Sequence, residues 1–113
     1  MVVEGYNGGR LVVAGDGTVT AIFYDGLMGG KPCRVTLGPV LADLAMLKPG
    51  EYLARNIPLI NAIYAEEAPP QLHLEEPETV VYICSHYTGP TNQLVVGQRA
   101  LRVALESLGA ATA

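Results

Sequence analysis

The sequence predicts an α+β fold in a single domain over residues 1–113, and three observations lead to that class. Two β-rich runs near the N-terminus flank an Asp-Gly pair, which is a strong signal for an antiparallel hairpin. A middle segment has apolar residues at helical spacing between a proline and a glycine. A β-branched run near residue 80 leads into a polar loop and then into a second helical pattern.

The first half of the chain begins with strands. Residues 10–14 and 18–24 are the two runs of the hairpin, with Gly15-Asp16-Gly17 as their turn. A glycine-rich loop over 25–32 leads to a third strand over 34–37. This loop does not fit a phosphate-binding P-loop, because Asp25 and Pro32 occupy positions where that motif has glycine and a hydroxyl residue.

A short helix is predicted after Gly38-Pro39. Its apolar positions follow a helical spacing, and they are Val40, Leu41, Leu44 and Leu47. Proline at the start and Pro49-Gly50 after Lys48 are matching start and stop signals.

The segment from 51 to 78 is less regular. Residues 51–65 fit neither period cleanly and contain Pro58, so one or two strands are expected there. Residues 66–78 hold five of the eleven acidic residues and three prolines, which is typical of a solvated connector. Recruitment of a basic partner is the alternative interpretation of this acidic segment.

The C-terminal third is interpreted as a strand, a loop and a helix. The strand covers residues 79–84, and the helix runs from about Asn92 to Leu108 with Thr91 or Asn92 as its N-cap and Gly109 as its stop. Leucines at 94, 101, 105 and 108 give it one apolar face. Gly97 would cost such a helix about 1 kcal/mol relative to alanine, which indicates a close contact there with another backbone.

Composition and charge exclude several classes of function. The net charge is −4 and the seven basic residues are scattered, so no nucleic-acid partner is expected. No apolar run approaches the roughly 20 residues of a membrane span, and no basic-then-apolar leader is present, so a soluble cytoplasmic protein without membrane contact is expected. Cys33, His73, Cys84 and His86 lack chelating spacing, so no metal site or other cofactor is predicted.

The apolar content predicts an oligomer. Half of the residues are hydrophobic and 16% are charged, which gives more apolar surface than one small core requires. A well-packed monomer is the alternative.

The loop after residue 85 is the main candidate for a binding site. The predicted ligand-binding residues are His86, Tyr87, Thr88, Gly89, Thr91, Asn92 and Arg99. They combine donor side chains with a helix N-terminus, which suits a phosphate, a carboxylate or a ribose. An ordinary capped loop is the alternative. Nucleophilic catalysis by Cys84 or Ser85 with His86 is disfavoured because neighbouring strand residues point apart, so catalytic residues stay unknown.

About 30 residues, from roughly 79 to 109, resemble the first strand, loop and helix of nucleoside 2-deoxyribosyltransferase-like proteins. The similar residues are Val80-Val81-Tyr82-Ile83-Cys84-Ser85-His86-Tyr87-Thr88-Gly89-Pro90, then Asn92 and the alanine- and leucine-containing stretch 100–109. The resemblance implies a Rossmann-like unit whose loop contacts a nucleoside or nucleotide through Tyr87, Thr88, Gly89 and Asn92. His86 replaces the family's usual proline, and the further βα units that supply the family's catalytic carboxylate are expected to be missing after Ala113.

Together these features predict a small, oligomeric, non-catalytic binding protein for a nucleotide or a related phosphorylated metabolite. One alternative is an enzyme that processes a nucleoside or nucleotide by glycosyl transfer or hydrolysis. A second alternative is a structural or protein-interaction subunit without a ligand.

Overall fold

The computed structural model describes residues 1–6, 8–25, 31–85 and 93–112. The strands in these residues are β1 (Val2–Glu4), β2 (Arg10–Val13), β3 (Val19–Asp25), β4 (Lys31–Gly38), β5 (Ile60–Glu67), β6 (Thr79–Ser85) and β7 (Gln93–Gly97). The helices are α1 (Leu41–Met46) and α2 (Gln98–Thr112), with a 3-10 turn at Pro70–Leu72. The predicted α+β class is confirmed.

The first sheet is an antiparallel meander in the order β1-β2-β3-β4. The predicted hairpin is confirmed as β2 and β3, in which Leu11 pairs with Ala21. Its turn is held by the Asp16 carboxylate, which accepts a hydrogen bond from the Thr18 N–H at 3.0 Å. Strand β4 confirms the third predicted strand and extends it at both ends. Strand β1 was not predicted, because three residues are too few to show a period.

The second sheet has the antiparallel order β5-β6-β7. The ambiguous segment therefore supplies one strand, β5. Residues 50–53 run along the edge of β5 that faces away from β6 and form hydrogen bonds with it. The Leu53 N–H donates to the Ile63 carbonyl at 2.9 Å, and the Ala65 N–H donates to the Glu51 carbonyl at 3.2 Å. The predicted connector begins later than expected, because Glu66 and Glu67 still belong to β5.

The predicted start of the C-terminal helix is wrong. Gln93–Gly97 forms strand β7, which pairs antiparallel with β6, and α2 begins only at Gln98. The physical reason is that Leu94, Val95 and Val96 are all buried, so both faces of the strand are covered and its apolar run shows no alternation. The predicted N-cap, Thr91 or Asn92, lies outside the described residues, and β7 stands between these positions and α2. Gly109 does not end α2, since the helix continues to Thr112.

One hydrophobic core joins both sheets and both helices. The inner faces of the sheets contribute residues such as Leu11, Phe23 and Ile83, and the helices contribute Leu44 and Leu101. The predicted middle helix and the inward face of the C-terminal helix are both confirmed by this burial.

Two polar side chains of α2 donate hydrogen bonds to backbone carbonyls at the C-terminal end of α1. Gln98 is only 4% exposed, and its Nε2 donates hydrogen bonds to the carbonyls of Leu44 and Leu47. Arg102 Nε donates to the Ala45 carbonyl at 3.1 Å. The last carbonyls of a helix have no partner within it, so these bonds replace water at a buried helix end.

We expect Gln98→Leu to lower the free energy of unfolding by about 1–2 kcal/mol, because it leaves buried carbonyls without a donor. Chemical denaturation measures this change. The control is Gln71→Leu, at an exposed position of the 3-10 turn, which should stay within about 0.5 kcal/mol of wild type. Equal stability of the two variants would contradict the capping role.

Candidate functional site

Six of the seven predicted ligand-binding residues lie outside the described part of the chain. They are His86, Tyr87, Thr88, Gly89, Thr91 and Asn92. The flanking residues are described: Ser85 ends β6, and Gln93 begins β7 opposite Cys84. The predicted loop thus joins two antiparallel strands rather than a strand and a helix.

Arg99, the seventh predicted residue, lies at the other end of β7. Gly97, which precedes α2, pairs with Val80 near the start of β6. A strand of five residues separates its two ends by roughly 14 Å, at about 3.4 Å per residue. The loop, the helix N-terminus and Arg99 were expected to meet at one end of a strand. This expectation is wrong, because Ser85 and Gln93, which flank the loop, lie at the end of the β6–β7 pair away from Arg99.

A carboxylate of the protein already occupies the N-terminus of α2. Glu78 Oε1 accepts a hydrogen bond from the Arg99 N–H at 3.2 Å. Glu78 Oε2 accepts one from the Tyr6 hydroxyl at 2.6 Å. A negative charge at this position complements the helix dipole. Glu78 therefore occupies the place at a helix N-terminus where the anionic group of a ligand was expected.

Gly97 allows this arrangement. A Cβ at this position would lie 2.9 Å from Tyr6 Oη and 3.0 Å from Glu78 Cδ. The sequence correctly indicated a close contact at Gly97. Gly97 lies in β7 rather than in a helix, and the atoms near it belong to side chains rather than to another backbone.

Tyr6 is held as a protonated phenol. Its hydrogen bond to Glu78 and its burial raise the pKa of Tyr6 to about 12, with the hydrogen bond as the larger cause. The phenol therefore donates to Glu78 throughout the physiological pH range, and the pair links the end of β1 to α2.

The Arg99 side chain is held only loosely. Its Nη2 lies 3.4 Å from Glu76 Oε2, and the two side chains are 63% and 72% exposed. Exposed ion pairs of this kind contribute little to stability, so the guanidinium can exchange Glu76 for another anion at small cost.

Tyr6, Glu78 and Arg99 border a surface depression of about 580 Å³ between β1 and α2. Its wall is apolar and includes Val2, Val3, Ala100, Val103 and Ala104. Its polar groups are Glu4, Tyr6, Glu78, Arg99 and Ser107. The volume lies within the range of small-ligand sites, about 300–1,000 Å³.

The sequence did not indicate most of this site. Glu4 ends a strand too short to recognise, Tyr6 lies in the turn after that strand, and Glu78 appeared only as one of several acidic residues. Their approach to Arg99 depends on the pairing of β1 with β2 and on the path of residues 68–78, and neither is a local property of the sequence.

Three tyrosines lie in contact on the second sheet, with the rings of Tyr64 and Tyr82 stacked and the ring of Tyr52 tilted against Tyr64. The ring centroids of Tyr52 and Tyr64 are 5.3 Å apart, and those of Tyr64 and Tyr82 are 5.0 Å apart. Burial raises the pKa of the neighbouring Cys84 thiol, which keeps it protonated and disfavours it as a nucleophile. Cys84 lies in β6, as expected of a strand residue.

The described residues form neither a metal-binding group nor a membrane-spanning helix. In these ranges no three His, Cys, Asp or Glu side chains are grouped so that they could hold a metal ion. No helix among the described elements has the length and apolar character of a membrane span.

The chain thus belongs to the class of α+β domains with a ligand-sized surface depression. Compared with protein-family models, curated proteins and solved structures, it matches none. The resemblance to nucleoside 2-deoxyribosyltransferase-like proteins stays a prediction.

Proposed function

We propose that the protein is a non-catalytic binder of a nucleotide or a related phosphorylated metabolite, and that the ligand occupies the depression between β1 and α2. One observation carries the proposal: the depression places Arg99, a predicted ligand residue, beside an apolar wall and two hydrogen-bonding groups. A cytoplasmic location, expected from the sequence, belongs to the same proposal.

The parts of a nucleotide match the parts of the depression. The flat face of the base packs on the wall formed by Val2, Ala100 and Val103. The phosphate pairs with the Arg99 guanidinium, whose planar donors suit phosphate oxygens. Ribose hydroxyls donate to the Glu78 carboxylate, which is a common role of acidic residues in nucleotide sites.

The charges of the site limit the ligand. Glu4 and Glu78 border the depression and Glu76 lies 3.4 Å from the Arg99 guanidinium, so three carboxylates lie in or beside the depression. Like charges at close range disfavour binding. A nucleoside monophosphate is therefore expected to bind more tightly than the corresponding triphosphate.

The test is isothermal titration calorimetry with nucleoside monophosphates and triphosphates on wild type and on Arg99→Ala. Loss of one charge-assisted bond should weaken binding of the monophosphate by about 1–3 kcal/mol. Arg55→Ala is the matched control, since Arg55 is also an exposed arginine in an ion pair, with Asp43 at 2.8 Å. It should bind as wild type does.

Two results would contradict the proposal. One is the absence of binding to any member of the panel at millimolar concentration. The other is unchanged affinity in Arg99→Ala. If Thr88→Ala combined with Asn92→Ala weakens binding while Arg99→Ala does not, the ligand binds at the loop over 86–92 and the assignment to the depression is wrong.

A further inference from the structure

A second, smaller depression lies next to the one between β1 and α2. It has a volume of about 220 Å³, and its polar lining is formed by Glu78, Thr79, Gln98, Arg99 and Arg102. Glu78 and Arg99 border both depressions, so the two meet at this pair of side chains. The volume is below the roughly 300–1,000 Å³ of sites that hold a whole small ligand, so the second depression suits one group of a ligand.

Arg102 lines this second depression and is fixed by acceptors that carry no charge. Its Nε donates to the Ala45 carbonyl at 3.1 Å, and its Nη2 donates to Gln98 Oε1 at 3.3 Å. Gln98 is itself buried and bonded to the Leu44 carbonyl, so the guanidinium is held in one position. No ion pair within the described ranges includes Arg102.

The other N–H groups of Arg102 can therefore bind a ligand. A guanidinium has more donors than these two bonds use, and its planar donors suit phosphate oxygens. Because the side chain is already held in place, it loses little conformational entropy when it binds an anion. Thr79, which is half-buried at the start of β6, adds a hydroxyl donor to the same depression.

The balance of charge differs between the two depressions. The first has one arginine, Arg99, and two glutamates, Glu4 and Glu78. The second has two arginines, Arg99 and Arg102, and one glutamate, Glu78. Glu76 competes for Arg99, at 3.4 Å, and makes no ion pair with Arg102. A negatively charged phosphate is therefore favoured in the second depression over the first.

We propose that the second depression is the phosphate subsite of the protein, with Arg102 and Thr79 as ligand-binding residues in addition to Arg99. The sugar and base of the ligand then extend past Glu78 into the first depression, where the apolar wall lies. The identity of the ligand rests on the proposed function, whereas the position of the phosphate rests on Arg102 and Thr79. The protein should distinguish a nucleoside from its 5′-monophosphate mainly through Arg102.

Inorganic phosphate is the probe for this subsite, because it lacks the sugar and the base. In a ¹⁵N NMR titration at constant ionic strength, it should cause saturable shifts at the Arg102 Nε–H and at the amides of Thr79 and Arg99, whereas chloride should not. Arg102→Met should weaken phosphate binding by about tenfold, because charge-assisted hydrogen bonds are lost. Arg55→Met is the matched control, since it removes the exposed arginine that pairs with Asp43, and it should bind phosphate as wild type does.

Thr79→Val is the second variant, because it leaves the bonds from Arg102 to Ala45 and Gln98 in place. Loss of one hydroxyl donor should weaken phosphate binding severalfold. Circular dichroism confirms that each variant is folded. If Arg102→Met does not fold, the shifts in the wild type and the affinity of Thr79→Val decide the result.

Titrations with nucleoside 5′-monophosphates and their nucleosides separate this proposal from the proposed function. Phosphate shifts at Arg102 and Thr79 that weaken in both variants support the subsite, and they do so even if no nucleotide binds, in which case the proposed function alone is wrong. A nucleotide that shifts residues of the first depression while inorganic phosphate leaves Arg102 unchanged overturns the subsite and leaves the proposed function standing. Unchanged phosphate affinity in both variants also overturns the subsite.

Discussion

Leu101→Ala is expected to lower the free energy of unfolding by about 2–5 kcal/mol, the cost of truncating a buried leucine. Leu101 is 0% exposed and lies in the core that α2 shares with both sheets. The substitution removes apolar burial and leaves a cavity that rigid neighbours on two sheets cannot fill. Leu105, one turn later, is only partly buried, so Leu105→Ala should cost less.

Val103→Ala is the control in the same helix. Val103 is 57% exposed, so its truncation should cost under about 0.5 kcal/mol. Urea denaturation of the variants, followed by circular dichroism, gives the comparison. A small effect at Leu101, similar to that at Val103, would mean that α2 does not present this face to the core.

Gly9→Ala is expected to destabilise the fold by up to about 3 kcal/mol, at the upper end of the cost of overpacking. A Cβ at Gly9 would lie 2.6 Å from Leu94 Cδ1 and 2.9 Å from the Ile22 carbonyl oxygen. The leucine side chain can move, but the carbonyl belongs to the backbone of β3 and cannot. The clash falls within the first sheet, where residue 9 leads into β2 beside β3, so relief requires these two neighbouring strands to move apart.

Gly15→Ala is the matched control, because a Cβ at that position meets nothing within 4 Å. It should be neutral within about 0.5 kcal/mol. Thermal unfolding of both variants tests the prediction, and equal melting temperatures would show that the backbone of β3 does not approach Gly9 this closely.

Local sequence signals are sufficient where a short segment determines its own conformation. The β2–β3 hairpin was predictable because an Asp-Gly turn acts within a few residues, and α1 was predictable from its spacing and flanking prolines. Strand β7 was mistaken for the first turns of a helix. Leu94 continues the leucine spacing of α2 by coincidence. Val95 is buried in a cluster with Val80 and Tyr82, which lie in another strand, so the sequence around residue 95 does not show this burial.

The candidate site was predictable only in part. Arg99 was named as a basic residue one to three turns into a helix expected to start at about Asn92, whereas it lies in the first turn of α2, which starts at Gln98. The groups beside it come from residues 6 and 78, which are 72 positions apart in the chain. Such a pairing follows from the order of strands, and no single segment of the sequence encodes it.

The most direct test of the central claim, binding of a nucleotide in the depression between β1 and α2, is a titration of the ¹⁵N-labelled protein with nucleoside 5′-monophosphates, followed by two-dimensional NMR. The account predicts saturable shift changes at the amides of Val2, Arg99, Ala100 and Val103, which border the depression. Amides of the opposite sheet edge, such as Thr36, should not move. Shift changes confined to residues 86–92, or no changes at millimolar ligand, would contradict it.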